Sequence, residues 1–211
     1  MKSAHNPWAR LAWRILFGTL ALASALAGAC SGGEGSGGDD NASQYDGPVS
    51  PETAIDVVEA FDPAEPGAVL SLNEVVAAGS EAVAELLPLL ENEDPNRQFA
   101  ALYVALLLTD TDEEIALVTP LLAHEEMTIR TMVAGALAGH GVAEALPVLI
   151  EAMSSEADLP FSDPPRSLAA FAQSGLEAYT RESFADAPAW EAWWQDVESS
   201  LEWDGETYVA R

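Results

Sequence analysis

Positive charge is scarce in this sequence. Only eight of 211 residues are Lys or Arg, and three of these, Lys2, Arg10 and Arg14, come before the first acid. After Cys30 there is no lysine. Five arginines (Arg97, Arg130, Arg166, Arg181 and Arg211) stand against all 35 Asp and Glu, a formal side-chain balance of −30. Phosphate backbones are bound by clustered Lys and Arg, so this composition argues against a nucleic-acid partner. An anionic lipid surface would repel it as well. Two readings of the acidity stay open: a solvated, self-repelling surface that keeps the domain soluble, or an attraction for a basic partner or a divalent cation.

Cysteine occurs once, at Cys30, so no internal disulfide can form and the fold has to be held by its core. Long apolar runs are missing too. Residues 15–29 are uncharged and rich in Leu and Ala, but they fall short of the roughly 20 residues a spanning helix needs. With basic residues ahead of it and small residues at its end, this run reads as an export signal. Leu26-Ala27-Gly28-Ala29-Cys30 resembles the lipobox of bacterial lipoproteins, with Ala27 where Leu is more usual. The resemblance implies that Cys30 is lipidated and becomes the mature N-terminus. Ser31, where an aspartate would mark inner-membrane retention, resembles outer-membrane routing in a cell with two membranes. The competing readings are an ordinary secretory signal and an uncleaved anchor. Residues 31–50 hold Gly-Gly twice, several acids and almost nothing apolar, the composition of a flexible tether with a reach of roughly 25 Å.

Catalytic constellations are poor, and paired carboxylates are too abundant by composition to single any out. The histidines after Cys30 are His124 and His140, and neither has the spacing of a helical zinc motif. Asp110-x-Asp112-x-Glu114 begins like a calcium loop, yet Ile115 occupies the place of the tight-turn glycine. Thr111 and Glu114 instead have the spacing of a capping box. There is no Gly-rich phosphate loop, and Ser174-Gly175 lacks a nucleophile-elbow context. The expectation is no catalytic residue, no metal site and no cofactor.

What the chain does have is a repeat. The triplet Val83, Leu86, Leu90 recurs as Ile115, Val118, Leu122 and again as Leu146, Leu149, Met153, at offsets of 32 and 31 residues. Spacing i, i+3, i+7 is one face of a helix, and a fixed period near thirty residues marks stacked helix pairs. Each outer helix is followed by a turn and an alanine-rich inner helix. The first pair reads as 81–90 and 95–108, with Asp94 as N-cap and Pro95 at N1. The second inner helix starts near Glu126 and stops at Gly139 and Gly141, and the third covers 166–179. Ahead of the array, Ser50-Pro51-Glu52 opens a short helix whose face is Ile55, Val58 and Phe61, followed by a second helix over 66–78.

Glu126, Ile129, Arg130, Ala134, Ala136 and Leu137, with Leu146-Pro147-x-Leu149-Ile150, resemble bacterial HEAT-like repeats of the short type named after phycobilisome lyases. Asp94 and Arg97 match one residue out of register. The resemblance covers roughly residues 66–180. It implies an all-α fold, a short right-handed superhelix (α-solenoid) of helix pairs. The expected division is 1–29 signal peptide, 30–50 lipidated cysteine and tether, and 51–211 repeat domain. Within that domain, 51–79 is an N-terminal cap, 80–181 the repeats and 182–211 a Trp-rich C-terminal cap. In the last segment Trp190, Trp193 and Trp194 share one helical face, and Leu201 to Val209 around Asp204-Gly205 has the makings of a small hairpin.

The third unit differs from the others. Residues 154–165 separate its helices by a long proline-rich loop, either a stiff connection or part of a partner surface. The tryptophans serve either as a cap on the open end of the array or as an aromatic groove. The candidate partner contacts are therefore Asp158, Phe161, Asp163, Arg166, Trp190, Trp193 and Trp194, with Cys30 as the lipid site. The leading expectation is a lipid-anchored binding or scaffold protein of the cell envelope. Its partner would be a protein with a basic surface, and its only membrane contact the N-terminal lipid. The alternatives are an enzyme or enzyme subunit related to HEAT-like bilin lyases, by analogy of fold alone, and an acidic cation-binding envelope module.

Overall fold

A computed structural model describes residues 51–65, 82–160, 162 and 165–211, together with Ala68, Leu72 and Val75. Cys30, the tether, Phe161 and Asp163 lie outside the described residues, as does most of the helix expected over 66–78. Among the described residues there are eight α-helices and one two-stranded sheet. They are α1 (Pro51–Glu59), α2 (Ala82–Leu86), α3 (Pro95–Leu108), α4 (Asp112–Val118), α5 (Met127–Ala138), α6 (Ala145–Ala152), α7 (Leu168–Thr180) and α8 (Ala187–Val197). Strands β1 (Leu201–Trp203) and β2 (Tyr208–Ala210) pair antiparallel, Trp203 opposite Tyr208. None of the described helices is long and apolar enough to cross a membrane.

The apolar triplets carry the packing. Val83, Leu86, Val118, Leu146 and Leu149 are completely buried, Leu90 nearly so, and Ile115, Leu122 and Met153 pack against the same core. The outer helices are shorter than their apolar pattern predicts. α2 passes into a 3₁₀ turn at Leu87–Glu91, and α4 does the same at Thr119–Ala123. Pro88 and Pro120 are the reason. A proline inside a helix has no N–H for the carbonyl four residues back, and its ring crowds that carbonyl. Pro147 falls in the first turn of α6, where no such bond is due, and α6 runs unbroken.

The first two inner helices are enclosed, whereas α7 buries one face. Every residue of α3 from Phe99 to Leu108 is buried, and in α5 Ile129 and Thr131 to Ala138 are buried. A helix apolar on all sides belongs in a core. Here α3 lies against α1, α2 and α5, while α5 lies against α6, α7 and the 3₁₀ turn that follows α4. In α1 the buried residues are Ala54 and Val58, continued by Phe61 beyond the helix, with Ile55 only partly covered.

One turn recurs between outer and inner helices. The Asn92 side chain accepts from the Asp94 N–H at 2.9 Å, His124 Nδ1 from the Glu126 N–H at 3.1 Å, and Ser155 Oγ from the Ala157 N–H at 3.2 Å. These positions repeat the 32- and 31-residue offsets of the apolar triplets. Asp94 then caps α3, its side chain accepting from the Asn96 N–H at 2.9 Å. Glu126 is the N-cap of α5, without a side-chain bond. In the third unit the chain loops out after Ala157 and returns at Ser167, whose hydroxyl caps α7 by accepting from the Ala170 N–H. The expected capping box is present at α4: Glu114 N–H donates to Thr111, and Glu114 Oε2 accepts from the N–H groups of Thr111 and Asp110.

Candidate functional site

The long loop of the third unit closes at its base. Asp158 and Ser167 form an antiparallel bridge, flanked by Leu159 N–H to Arg166 O at 2.7 Å and Leu168 N–H to Ala157 O at 2.8 Å. Ends held together in this way define an Ω-type loop. Leu159 is 2% exposed and anchors the loop in the core. Ser162 Oγ donates to Leu159 O and accepts from the Arg166 N–H, a second brace inside the loop. Asp158 points from this base with its side chain exposed.

Arg166 leaves the loop and lies along the first half of α7. Its guanidinium donates to Ala170 O and Ser174 Oγ and stands 5.9 Å over the Phe171 ring. Partial burial pulls its pKa below the ordinary arginine value. Engaged in this way, Arg166 stitches loop to helix.

The helix that carries the tryptophans packs against α6 and reaches the middle of α7 through Trp190. Trp190 is completely buried, and its indole N–H donates to Gln173 Oε1 at 3.2 Å. Gln173 donates in turn to Glu177 Oε1 and to Phe184 O, and Ser183 Oγ donates to Glu177 as well. The two side-chain donors, Gln173 first and Ser183 second, hold the Glu177 carboxyl below the usual carboxylate range. Phe184 meets Trp190 edge-on at 4.8 Å between centroids, and Trp193 meets Trp190 edge-on at 5.5 Å. Edge-to-face contacts of this kind add to the area an aromatic ring buries. Trp190 therefore has no surface to offer a partner, while Trp193 and Trp194 keep part of theirs. Of the seven expected contacts, Asp158 is exposed and Arg166, Trp193 and Trp194 are half-buried. Arg166 is committed to α7, Trp190 is core, and Phe161 and Asp163 fall outside the described residues.

Gln173, Glu177 and Ser183 were not legible as a node from spacing alone. Gln173 and Glu177 are one helical turn apart, but Trp190 and Phe184 reach them only through the fold. A second unexpected contact ties down the C-terminus. The Trp203 and Tyr208 rings meet at a tilt of 58°, 4.8 Å between centroids, and Tyr208 Oη donates to Ala138 O, the last residue of α5, at 3.2 Å. Trp203 lies over Gly141 and Tyr179 over Gly139, so close that a Cβ would overlap the Trp203 ring at Gly141 and the Tyr179 hydroxyl at Gly139. Arg181 to Glu206 and Arg211 to Glu202 pair across the exposed side of the same segment.

Metal chemistry finds no site among the described residues, where no group of three His, Cys, Asp or Glu could hold an ion. Glu114, which suggested a calcium loop, has one carboxylate oxygen occupied by two backbone N–H groups. His124 faces its own turn, and Arg130 grips that turn from the other side. The guanidinium donates to His124 O at 2.8 Å, Glu125 O at 2.9 Å, Met127 Sδ at 3.4 Å and Glu151 Oε1 at 3.0 Å. No family model, no curated protein and no solved structure matches this chain.

Proposed function

We propose that the chain is a lipid-anchored protein of the cell envelope whose helix pairs stack as a short right-handed superhelix of HEAT-like repeats and serve as a protein-binding or scaffolding module. The observation that carries the repeat reading is the recurrence of one side-chain-closed turn at Asn92, His124 and Ser155, in step with the apolar triplets. Stacked repeats built this way present turns and loops in a row, a surface suited to extended contacts. The third unit departs from that row by a loop pinned at its neck, with Asp158 exposed beside it.

Charge supports a basic partner. Arg97 pairs with Asp94, Arg130 with Glu151, Arg181 with Glu206 and Arg211 with Glu202, and Arg166 donates into α7. Every cation after Cys30 is thus engaged by its own chain, and the remaining carboxylates give the surface one sign. Such a field speeds encounter with a positively charged partner and repels acidic ones.

Membrane attachment and partner binding are tested separately. Replacing Cys30→Ser should move the protein from the membrane to the soluble fraction, and undiminished membrane retention would remove the lipid anchor. For the partner, a photoreactive residue at Asp158 should crosslink one envelope protein in cells, and the same residue at exposed Leu117 on α4 should not. Equal, scattered products from both positions would overturn the binding assignment.

A further inference from the structure

We infer that a basic protein partner docks on this chain through an arginine side chain, received by the open oxygen of the Glu177 carboxylate and the aromatic surface of Phe184 and Trp193. The occupant rests on the partner-binding reading above, whereas the site is built from side chains outside the long loop. Glu177 is one-sided. Its two side-chain donors, Gln173 Nε2 and Ser183 Oγ, are both spent on Oε1. Oε2 accepts from no group among the described residues. An ionised carboxylate has about four lone-pair sites over its two oxygens, so half of this group's capacity is open. The two donors also fix its orientation, and they keep it charged without help from a cation of this chain. A carboxylate held in this way receives a guanidinium without first having to be ordered.

Gln173 ties that carboxylate to the aromatic cluster. The Nε2 that reaches Glu177 also donates to Phe184 O at 3.0 Å, and Oε1 of the same amide holds the Trp190 indole. Phe184 and Trp193 stand at 82° and 90° to the buried Trp190 ring, which makes them rigid, and both are half-buried. A cation sandwiched between two rings needs roughly 7 Å, twice a van der Waals contact. At 6.4 Å between centroids, Phe184 and Trp193 leave their solvent-facing surfaces for one. Arginine fits this pairing better than lysine, because its plane stacks on a ring while its edge donates to a carboxylate. α7 already carries one arrangement of the kind: Arg166 stands 5.9 Å over Phe171 and donates to Ser174 Oγ, one turn before Glu177. Arg166 is committed there, Arg181 pairs with Glu206, and the other arginines pair elsewhere. The cation for Glu177 therefore comes from outside. Glu182 and Asp186 flank Ser183 and Phe184 in the chain, and Glu191 follows Trp190, all three exposed, so the surface around the site attracts positive charge.

A magnetic resonance titration of the full chain in detergent with the tripeptide acetyl-Gly-Arg-Gly-amide tests the site, at about 20 mM salt to limit screening. The Trp193 indole N–H and the Ser183 amide should shift together and saturate, while the Trp203 indole stays in place. The same tripeptide with citrulline keeps the shape and loses the charge, and it should bind at least about fivefold more weakly. Glu177→Gln keeps Oε1 for Gln173 and Ser183 and should weaken the arginine tripeptide by a similar factor. Equal binding of the citrulline peptide overturns the inference, as does wild-type affinity in Glu177→Gln or a spread of shifts without saturation at Trp193. Should Glu177→Gln fail to fold, the citrulline comparison on the wild type decides. The two readings fail separately. One crosslinked envelope protein at Asp158 without saturation at Trp193 removes the arginine site and keeps the partner. Saturation at Trp193 with scattered crosslinks at Asp158 keeps the site and removes the partner assigned to the loop.

Discussion

Gly141 offers a quantitative test of how the C-terminal hairpin is held. It has φ +82°, and a Cβ built on it would stand 2.6 Å from both Cγ and Cδ1 of Trp203. Two costs follow for Gly141→Ala. The left-handed backbone costs about 1–2 kcal/mol for a residue with a Cβ. The overlap adds about 1–3 kcal/mol, the usual range for forcing atoms into a packed contact. The ring cannot simply swing away, since Cγ sits at the root of the indole and Trp203 belongs to β1. That strand is paired to β2, and Tyr208 of β2 is bonded to Ala138 O. Relief therefore requires the hairpin to move. The total expected loss is about 2–5 kcal/mol, read as a shift of the midpoint in urea followed by far-ultraviolet circular dichroism. The two costs separate in a double-mutant cycle with Trp203→Ala. In that background only the backbone cost remains, giving a coupling of about 1–3 kcal/mol. Gly205, at φ +104° with no atom within 4 Å of a built Cβ, is the control, because Gly205→Ala should show the backbone cost alone. A coupling near zero between positions 141 and 203 would refute the close docking of the hairpin.

Other consequences are measurable on the same material. Gln173→Leu leaves the Trp190 indole N–H without its acceptor and removes one of the two donors to Glu177, and should cost about 1–3 kcal/mol in denaturation, with a change in tryptophan emission. Thr111→Ala removes one half of the capping box at α4 and should cost about 1 kcal/mol. Glu177 has its pKa lowered in the fold, so its contribution is present above the ordinary carboxylate range and disappears as pH falls through its lowered value. A pH titration of stability should therefore be shallower on the acid side for Ser183→Ala. Burial raises the Tyr179 phenol, and burial with the Glu144 charge and Tyr179 raises that of Tyr208. The unfolded chain ionises first, near about pH 10, so stability is complete below that value and falls as pH rises beyond it. Tyr208→Phe should reduce this alkaline slope while losing about 1 kcal/mol at neutral pH with the bond to Ala138 O.

Much of the local structure followed from residues within one turn of each other. Asp94-Pro95, Thr111 with Glu114, and Asp186 with Pro188 start their helices because a short polar side chain meets orphan N–H groups there, a matter of neighbours. The apolar triplets revealed which faces are buried, since helical period needs no knowledge of the partner surface. Local chemistry also shortened the outer helices through Pro88 and Pro120, although the apolar pattern by itself masked that effect. The candidate site was less legible. Sequence grouped Trp190, Trp193 and Trp194 correctly on one helix. It could not say that Gln173, seventeen residues earlier, would hold the innermost indole and bury it, leaving only the other two in reach of solvent.

Helix starts, the repeat period, the scarcity of cations and the hairpin turn at Asp204-Gly205 were determined by the chain itself, because each depends on backbone geometry or composition over a few residues. Tertiary structure decided which polar groups those elements share. It closed the long loop of the third unit at its neck and turned Arg166 back onto α7. It also brought Tyr208 seventy residues along the chain to the end of α5. The physical reason is range. Capping and periodicity act within one or two helical turns, whereas a buried indole or phenol takes whatever acceptor the packed core places beside it.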